Sequence, residues 1–178
     1  MNLKKNLAIE IQKNPNAEIF FFDESRFGTH SKIGHGWFKT GERTSLKTCL
    51  GFKNFYIYSA VGSLTGDNFH LVLPSVDTEC MNAFLQEFSL HLENRNALLI
   101  LDGAGWHKSQ NLNIPQNIKF INLPAYSPEL NPTEKLWEYI KNHTIKNKFY
   151  DCIEKLEKVV SEFIAGLTSE QIMQTCSC

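Results

Sequence analysis

Hydrophobic and polar positions change period along the chain, and each change marks an element. Ala17 to Phe22 is a compact apolar and aromatic run ending at Asp23, which predicts a buried strand. Phe55 to Val61 is rich in aromatic and β-branched residues. It is joined through Ser63–Asn68, a stretch of turn-forming residues, to a second such run, Phe69 to Leu73. The pair predicts a hairpin. Between Asp77 and Glu93 the period becomes helical, with Met81, Phe84, Leu85, Phe88 and Leu92 on one stripe. Ala97–Leu101 and Ile118–Leu123 are short apolar runs of strand length. A helix is expected from about Pro132, and a last amphipathic one is marked by Ile153, Leu156, Val160, Phe163, Ile164 and Leu167. Residues 1–16 are polar, with a sparse pattern compatible with a short helix. Residues 26–53 hold five glycines and read as a long loop, with a small hairpin around Trp37 as an option.

The order is strand, hairpin, helix, strand, strand and two helices. Antiparallel strands first and helix-linked strands afterwards predict an α/β domain: a mixed sheet with helices on its faces. The chain has 178 residues, 42% of them hydrophobic and thirteen of them Phe, enough for one packed core. No apolar run reaches the roughly 18 residues that span a bilayer, and no signal-peptide pattern opens the chain. A cytoplasmic protein with no membrane partner is expected. The five cysteines (Cys49, Cys80, Cys152, Cys176, Cys178) form no CxxC pair and read as free thiols.

A net charge of −1 argues against a simple nucleic-acid clamp, but the charge is unevenly spread. Arg26, Lys32, Lys39, Arg43, Lys47 and Lys53 face one acid, Glu42, within residues 26–53. Lys135, Lys141, Lys146 and Lys148 face one, Glu138, within residues 135–148. Such patches attract phosphates, although solvated surface charge would look the same.

Three acids stand out. FFFDE and LLILDG each place an Asp (Asp23, Asp102) at the carboxyl end of an apolar strand, where sites form in open α/β sheets. Glu24 follows Asp23 directly, and because side chains alternate along a strand only one of the two enters a given site. Glu134 lies in Asn-Pro-Thr-Glu-Lys-Leu-Trp. Two readings are open for it: a capping-box acid behind Asn131 and Pro132, or a third ligand delivered at a helix start. Three carboxylates without Cys or His suit Mg²⁺ or Mn²⁺. A Ser-His-Asp reading through Asp102, His107 and Ser109 lacks a GxSxG elbow.

The series FFFDESRFG, LILDGAGWHKS and LPAYSPELNPTEKLWEYIK resembles the catalytic domain of mariner-superfamily transposases, the bacterial insertion-sequence branch in particular, over roughly residues 17–145. The resemblance implies a ribonuclease-H-like five-stranded mixed sheet flanked by helices. It implies Asp23, Asp102 and Glu134 as catalytic and metal-binding residues, and two Mg²⁺ or Mn²⁺ ions per site. The activity implied is DNA cleavage and strand transfer in cut-and-paste transposition. The expected partner is double-stranded DNA, both transposon ends and target, touched by Arg26, Lys39, Arg43, Lys47, His107, Lys108, Lys135 and Lys141. A homodimer is expected in the active complex. About 16 residues precede the first strand, so the helix-turn-helix domain of full-length relatives is expected from a partner or a fused frame. The expected domain map is a linker remnant (1–16), the catalytic domain (17–167) and a C-terminal tail (168–178). Competing expectations are another ribonuclease-H-like nuclease, or an inactive shortened transposase that binds DNA or protein as a regulator.

Overall fold

The computed structural model describes residues 3–29, 40, 53–103, 111–124 and 127–177. Five strands form one sheet: β1 (Ala17–Gly28), β2 (Asn54–Val61), β3 (Asn68–Leu73), β4 (Asn96–Leu101) and β5 (Ile118–Asn122). Their order is β3-β2-β1-β4-β5. β1 pairs antiparallel with β2, and β2 with β3, whereas β4 runs parallel to β1 and β5 to β4. The mixed sheet expected from the element order is therefore present. β1 departs from expectation in length. It continues six residues past Phe22, so Asp23 lies within the strand. The charged stretch Asp23-Glu24-Ser25-Arg26 hides this continuation, which rests on backbone pairing with β2 as far as Gly28–Asn54.

Alternation along β1 divides the core. Phe20 and Phe22 join Tyr58, Ala60, Leu99 and Leu101 beneath α2 (Thr78–Leu92), whose expected stripe of Met81, Phe84, Leu85, Phe88 and Leu92 is wholly buried. Asp77 caps that helix, its side chain accepting from the Cys80 N–H at 2.8 Å. Ile19 and Phe21 face the other way, with Leu98, Ile100, Ile121 and Leu123 and with Leu7 of α1 (Leu3–Lys13). Farther along the same face, Phe27, Phe55, Ile57 and Val61 are covered by α3 (Thr133–Thr144), α4 (Ile153–Ala165) and α5 (Ser169–Cys176). Between these two clusters on the second face lies Asp23.

Residues 168–178, expected as a tail, contain α5. Its Ile172 and Cys176 are buried in the α3–α4 cluster, and a capping box between Thr168 and Gln171 starts the helix. Among the described residues no helix is long and apolar enough to cross a membrane.

Candidate metal centre

Strand geometry sets the direction of the first acid. Asp23 stands opposite Ser59 and Glu24 opposite Tyr58. Tyr58 belongs to the α2-side core, and burial, followed by the Glu24 charge, raises its hydroxyl above the ordinary range. Glu24 thus faces α2 and Asp23 the helices on the opposite side, as alternation requires. Arg26 is exposed but shares the Glu24 face, so it does not line the Asp23 site.

Asp102 is the first residue after β4 and is exposed. The parallel register pairs Phe21 with Ile100. That pairing ends at Phe21–Ile100, so Asp23, two residues farther along β1, and Asp102, just past β4, both lie beyond the same end of the parallel β1–β4 ladder. Glu134 comes from the other direction, as the second residue of α3, and is exposed.

Asp23 is half-buried, and burial is the largest influence on its carboxyl. The charges of Glu134 and then Glu24 add to it, pushing the group from its ordinary 3.8 up to about 7. The Trp137 indole opposes this shift by donating from Nε1 to Oδ2 at 3.0 Å. Glu134 is therefore in electrostatic contact with Asp23. Among the described residues, however, no three His, Cys, Asp or Glu side chains converge closely enough to hold a metal ion. The Glu134 charge acts on Asp23, and Asp102 follows β4, the strand beside β1. The donor set fits a hard divalent cation. It is all oxygen, and its central carboxyl is crowded by negative charge that a cation would relieve.

Among the described residues no hydrogen bond runs from the Glu134 side chain back to the Asn131 N–H, so the reciprocal half of a capping box is absent. The N-cap of α3 is Pro132, with no side-chain cap hydrogen bond. Asn131 caps the helix start as the sequence suggests, its Oδ1 accepting from the Thr133 N–H at 3.2 Å, and its amide also donates to the Phe22 carbonyl at 3.0 Å. The Thr133 hydroxyl donates to the Phe21 carbonyl at 3.3 Å. The sequence marks Asn131 as a cap and Trp137 as core. Their contacts with β1 join residues more than a hundred positions apart, beyond the reach of any local pattern.

Lys135 and Lys141 line an open groove of about 380 Å³ together with Glu134, Trp137 and Glu138. Lys135 donates to the Ser177 carbonyl at 2.7 Å, and the Lys141 ammonium lies 5.3 Å from the centre of the Phe27 ring. Lys39, Arg43, Lys47, His107 and Lys108, and with His107 the Ser109 of the hydrolase reading, lie outside the described residues.

A family model for DDE superfamily endonucleases matches residues 18–157, most of the chain, a span within which all three acids fall. The chain belongs to this family. An uncharacterized protein, y4pE/y4sA, of Sinorhizobium fredii is 41% identical over 96 residues, which are 53% of this chain and 71% of that protein. An uncharacterized 39 kDa protein of insertion element IS630 from Shigella sonnei is 26% identical over 151 residues, 82% of this chain and 44% of that protein. Among solved structures, the Mos1 mariner paired-end complex with Mn superposes with a TM-score of 0.73 at 16% identity, covering 98% of this chain and 56% of that one. The ribonuclease-H-like fold follows from that likeness. This DDE endonuclease chain spans roughly half of the insertion-element protein and of the Mos1 chain.

Proposed function

We propose that this DDE domain is the catalytic unit of a transposase, residues 17–167 together with α5, that cuts and joins DNA with Asp23, Glu134 and Asp102 as metal ligands. One observation carries the reading: in a DDE endonuclease domain, Asp23 sits half-buried on β1, hydrogen-bonded by Trp137 of the helix that carries Glu134, with Asp102 just past the end of the neighbouring strand β4. The Mos1 neighbours, solved as paired-end complexes, one with the left transposon end and one with Mn, support transposon-end DNA as substrate and a divalent metal as cofactor. Two Mg²⁺ or Mn²⁺ ions, when bound, supply activation of a water or 3′-hydroxyl and stabilisation of the leaving oxygen.

The residues of the chain do the rest. Trp137 holds Oδ2 of Asp23 in one orientation. Glu134, at the start of α3, places a second carboxylate across from it. Burial and the neighbouring Glu134 and Glu24 charges hold the Asp23 carboxyl above its ordinary range, so Asp23 would hold a cation in competition with a proton. Lys135 and Lys141, in the groove beside Glu134, are placed to meet phosphates of the bound strand.

The test is Mn²⁺-dependent nicking of supercoiled DNA and strand transfer of a pre-cut duplex end. Asp23→Asn, Asp102→Asn and Glu134→Gln are each expected to lose at least 100-fold while unfolding in one cooperative transition no lower than that of the wild type. Cleavage that survived EDTA, or that survived all three substitutions, would overturn the reading.

A further inference from the structure

Three residues within the seven-residue segment Asn131–Trp137, at and just before the start of α3, reach three consecutive residues of β1. Thr133 donates to the carbonyl of Phe21, Asn131 to the carbonyl of Phe22, and Trp137 to the carboxylate of Asp23. All three donors are buried, Thr133 completely. Each proposed ligand follows a clamped residue directly: Asp23 comes after Phe22, and Glu134 after Thr133.

We propose that Asn131, Thr133 and Trp137 form a clamp that sets the spacing between the Asp23 and Glu134 carboxylates, making all three positioning residues for divalent-cation binding. The inference rests on the metal-binding reading above. Its physical basis is a division of labour between two kinds of contact. Leu136 and Ile140 press α3 onto the sheet, but apolar burial is non-directional and leaves the helix able to slide along β1. Hydrogen bonds are directional and weaken steeply with misalignment, so three of them into successive residues fix the register of helix on strand. Asn131 serves twice. Its Oδ1 holds the Thr133 N–H at the helix start while its amide holds the strand. The last donor meets a proposed ligand itself, in the way partners of metal ligands orient them elsewhere. A pair of carboxylates sharing an ion tolerates little error, because misplacement by about 1 Å has large catalytic consequences.

Direct Mn²⁺ binding to the purified chain, followed by calorimetry or water-proton relaxation, tests the clamp without relying on turnover. Thr133→Val and Trp137→Phe keep most of the packing volume and remove one donor each. Each is expected to weaken Mn²⁺ binding by roughly 10-fold, within the range seen when partners of metal ligands are removed. Thr133→Ser keeps the hydroxyl and is expected to restore affinity to within about 2-fold of wild type. Thr144→Val is the control. It removes a buried hydroxyl that donates to the Ile140 carbonyl on the same helix, remote in sequence from the clamp, and it should bind Mn²⁺ like wild type. Wild-type binding with affinity lost in Asp23→Asn but unchanged in both Thr133→Val and Trp137→Phe would overturn the clamp and leave the metal reading standing. Mn²⁺ binding by wild type no tighter than by Asp23→Asn would overturn both.

Discussion

Asp23, Ser59 and His70 occupy one row across β1, β2 and β3, and the two ends of the row titrate in opposite senses. Asp23 is pushed up to about 7, burial first and Glu134 next. His70 is lowered to about 4 by burial; its Nδ1 pairs with the Ser59 hydroxyl at 2.8 Å, and its buried Nε2 has no partner among the described residues. Between pH 4 and 6.5 the folded chain keeps a proton on Asp23 that the unfolded chain has lost, so this group makes stability fall as pH rises. Over the same window the unfolded chain protonates His70 and the folded chain does not, so His70 makes stability rise with pH. Each contributes up to about 1.4 kcal/mol per pH unit, with opposite signs. In EDTA the two cancel in the wild type. Removing either end should expose the other: Asp23→Asn should gain stability with pH relative to wild type across this window, and His70→Asn should lose it. Urea midpoints at pH 4.5, 5.5 and 6.5 decide the matter, and two variants that both track the wild type would show that neither group is shifted. The acid itself was legible in the sequence, since an apolar strand gains nothing from a charge. Its altered proton affinity was not, because that depends first on burial in the folded chain and then on Glu134, 111 positions away.

Elements were readable from sequence in proportion to how much apolar surface each buries. The five-residue stripe of α2 and the runs of β2, β4 and β5 come within a residue or two of their observed bounds. β1 was read short because backbone pairing with β2, rather than apolar side chains, carries it through Glu24 and Arg26. α5 was missed because only Ile172 and Cys176 of its eight residues are buried. Few contacts do not make the helix dispensable. Ile172 is fully buried with Leu136, Ile140 and Val160. The neighbouring hairpin turn also packs against the start of α5, so closely that a Cβ on Gly66, whose φ is +71°, would fall 2.3 Å from the Ser169 carbonyl oxygen. Ile172→Ala should therefore cost about 2–4 kcal/mol, as truncation of a buried aliphatic does. Urea unfolding measures this, and an unchanged midpoint would make residues 168–178 the tail that their composition suggests. Because α5 braces α3 through this cluster, the same variant should also weaken Mn²⁺ binding.

For the whole molecule the question is what guides it to DNA. Net charge is −1, so the protein as a whole does not attract a polyanion, and binding has to come from local basic surface. Lys135 and Lys141 lie beside the proposed ligand Glu134 in one groove, and Lys39, Arg43 and Lys47 fall in the basic stretch of residues 26–53. Contacts of this kind grip phosphates and carry no sequence information directly. Base readout needs side chains held against base edges, most often by a helix lodged in the major groove. The helices among the described residues are used otherwise: α2 to α5 spend their apolar faces on the sheet or on each other. The 178-residue chain is therefore expected to bind transposon-end and random duplexes alike, with specificity contributed by an end-binding domain. Affinity should fall steeply with salt, because each neutralised phosphate releases condensed counterions with a slope near −0.9. Changing Lys135 and Lys141 together to Ala should flatten the log–log salt slope by about 2 and leave the thermal transition in place. A competition experiment at fixed salt separates the two contributions. If end DNA displaced random duplex by tenfold or more, a difference of about 1.4 kcal/mol, the chain would contain a base reader. The basic stretch of residues 26–53 would then be the place to look for it, since the groove beside Glu134 is lined by two lysines, two carboxylates and Trp137, whose indole N–H is already committed to Asp23.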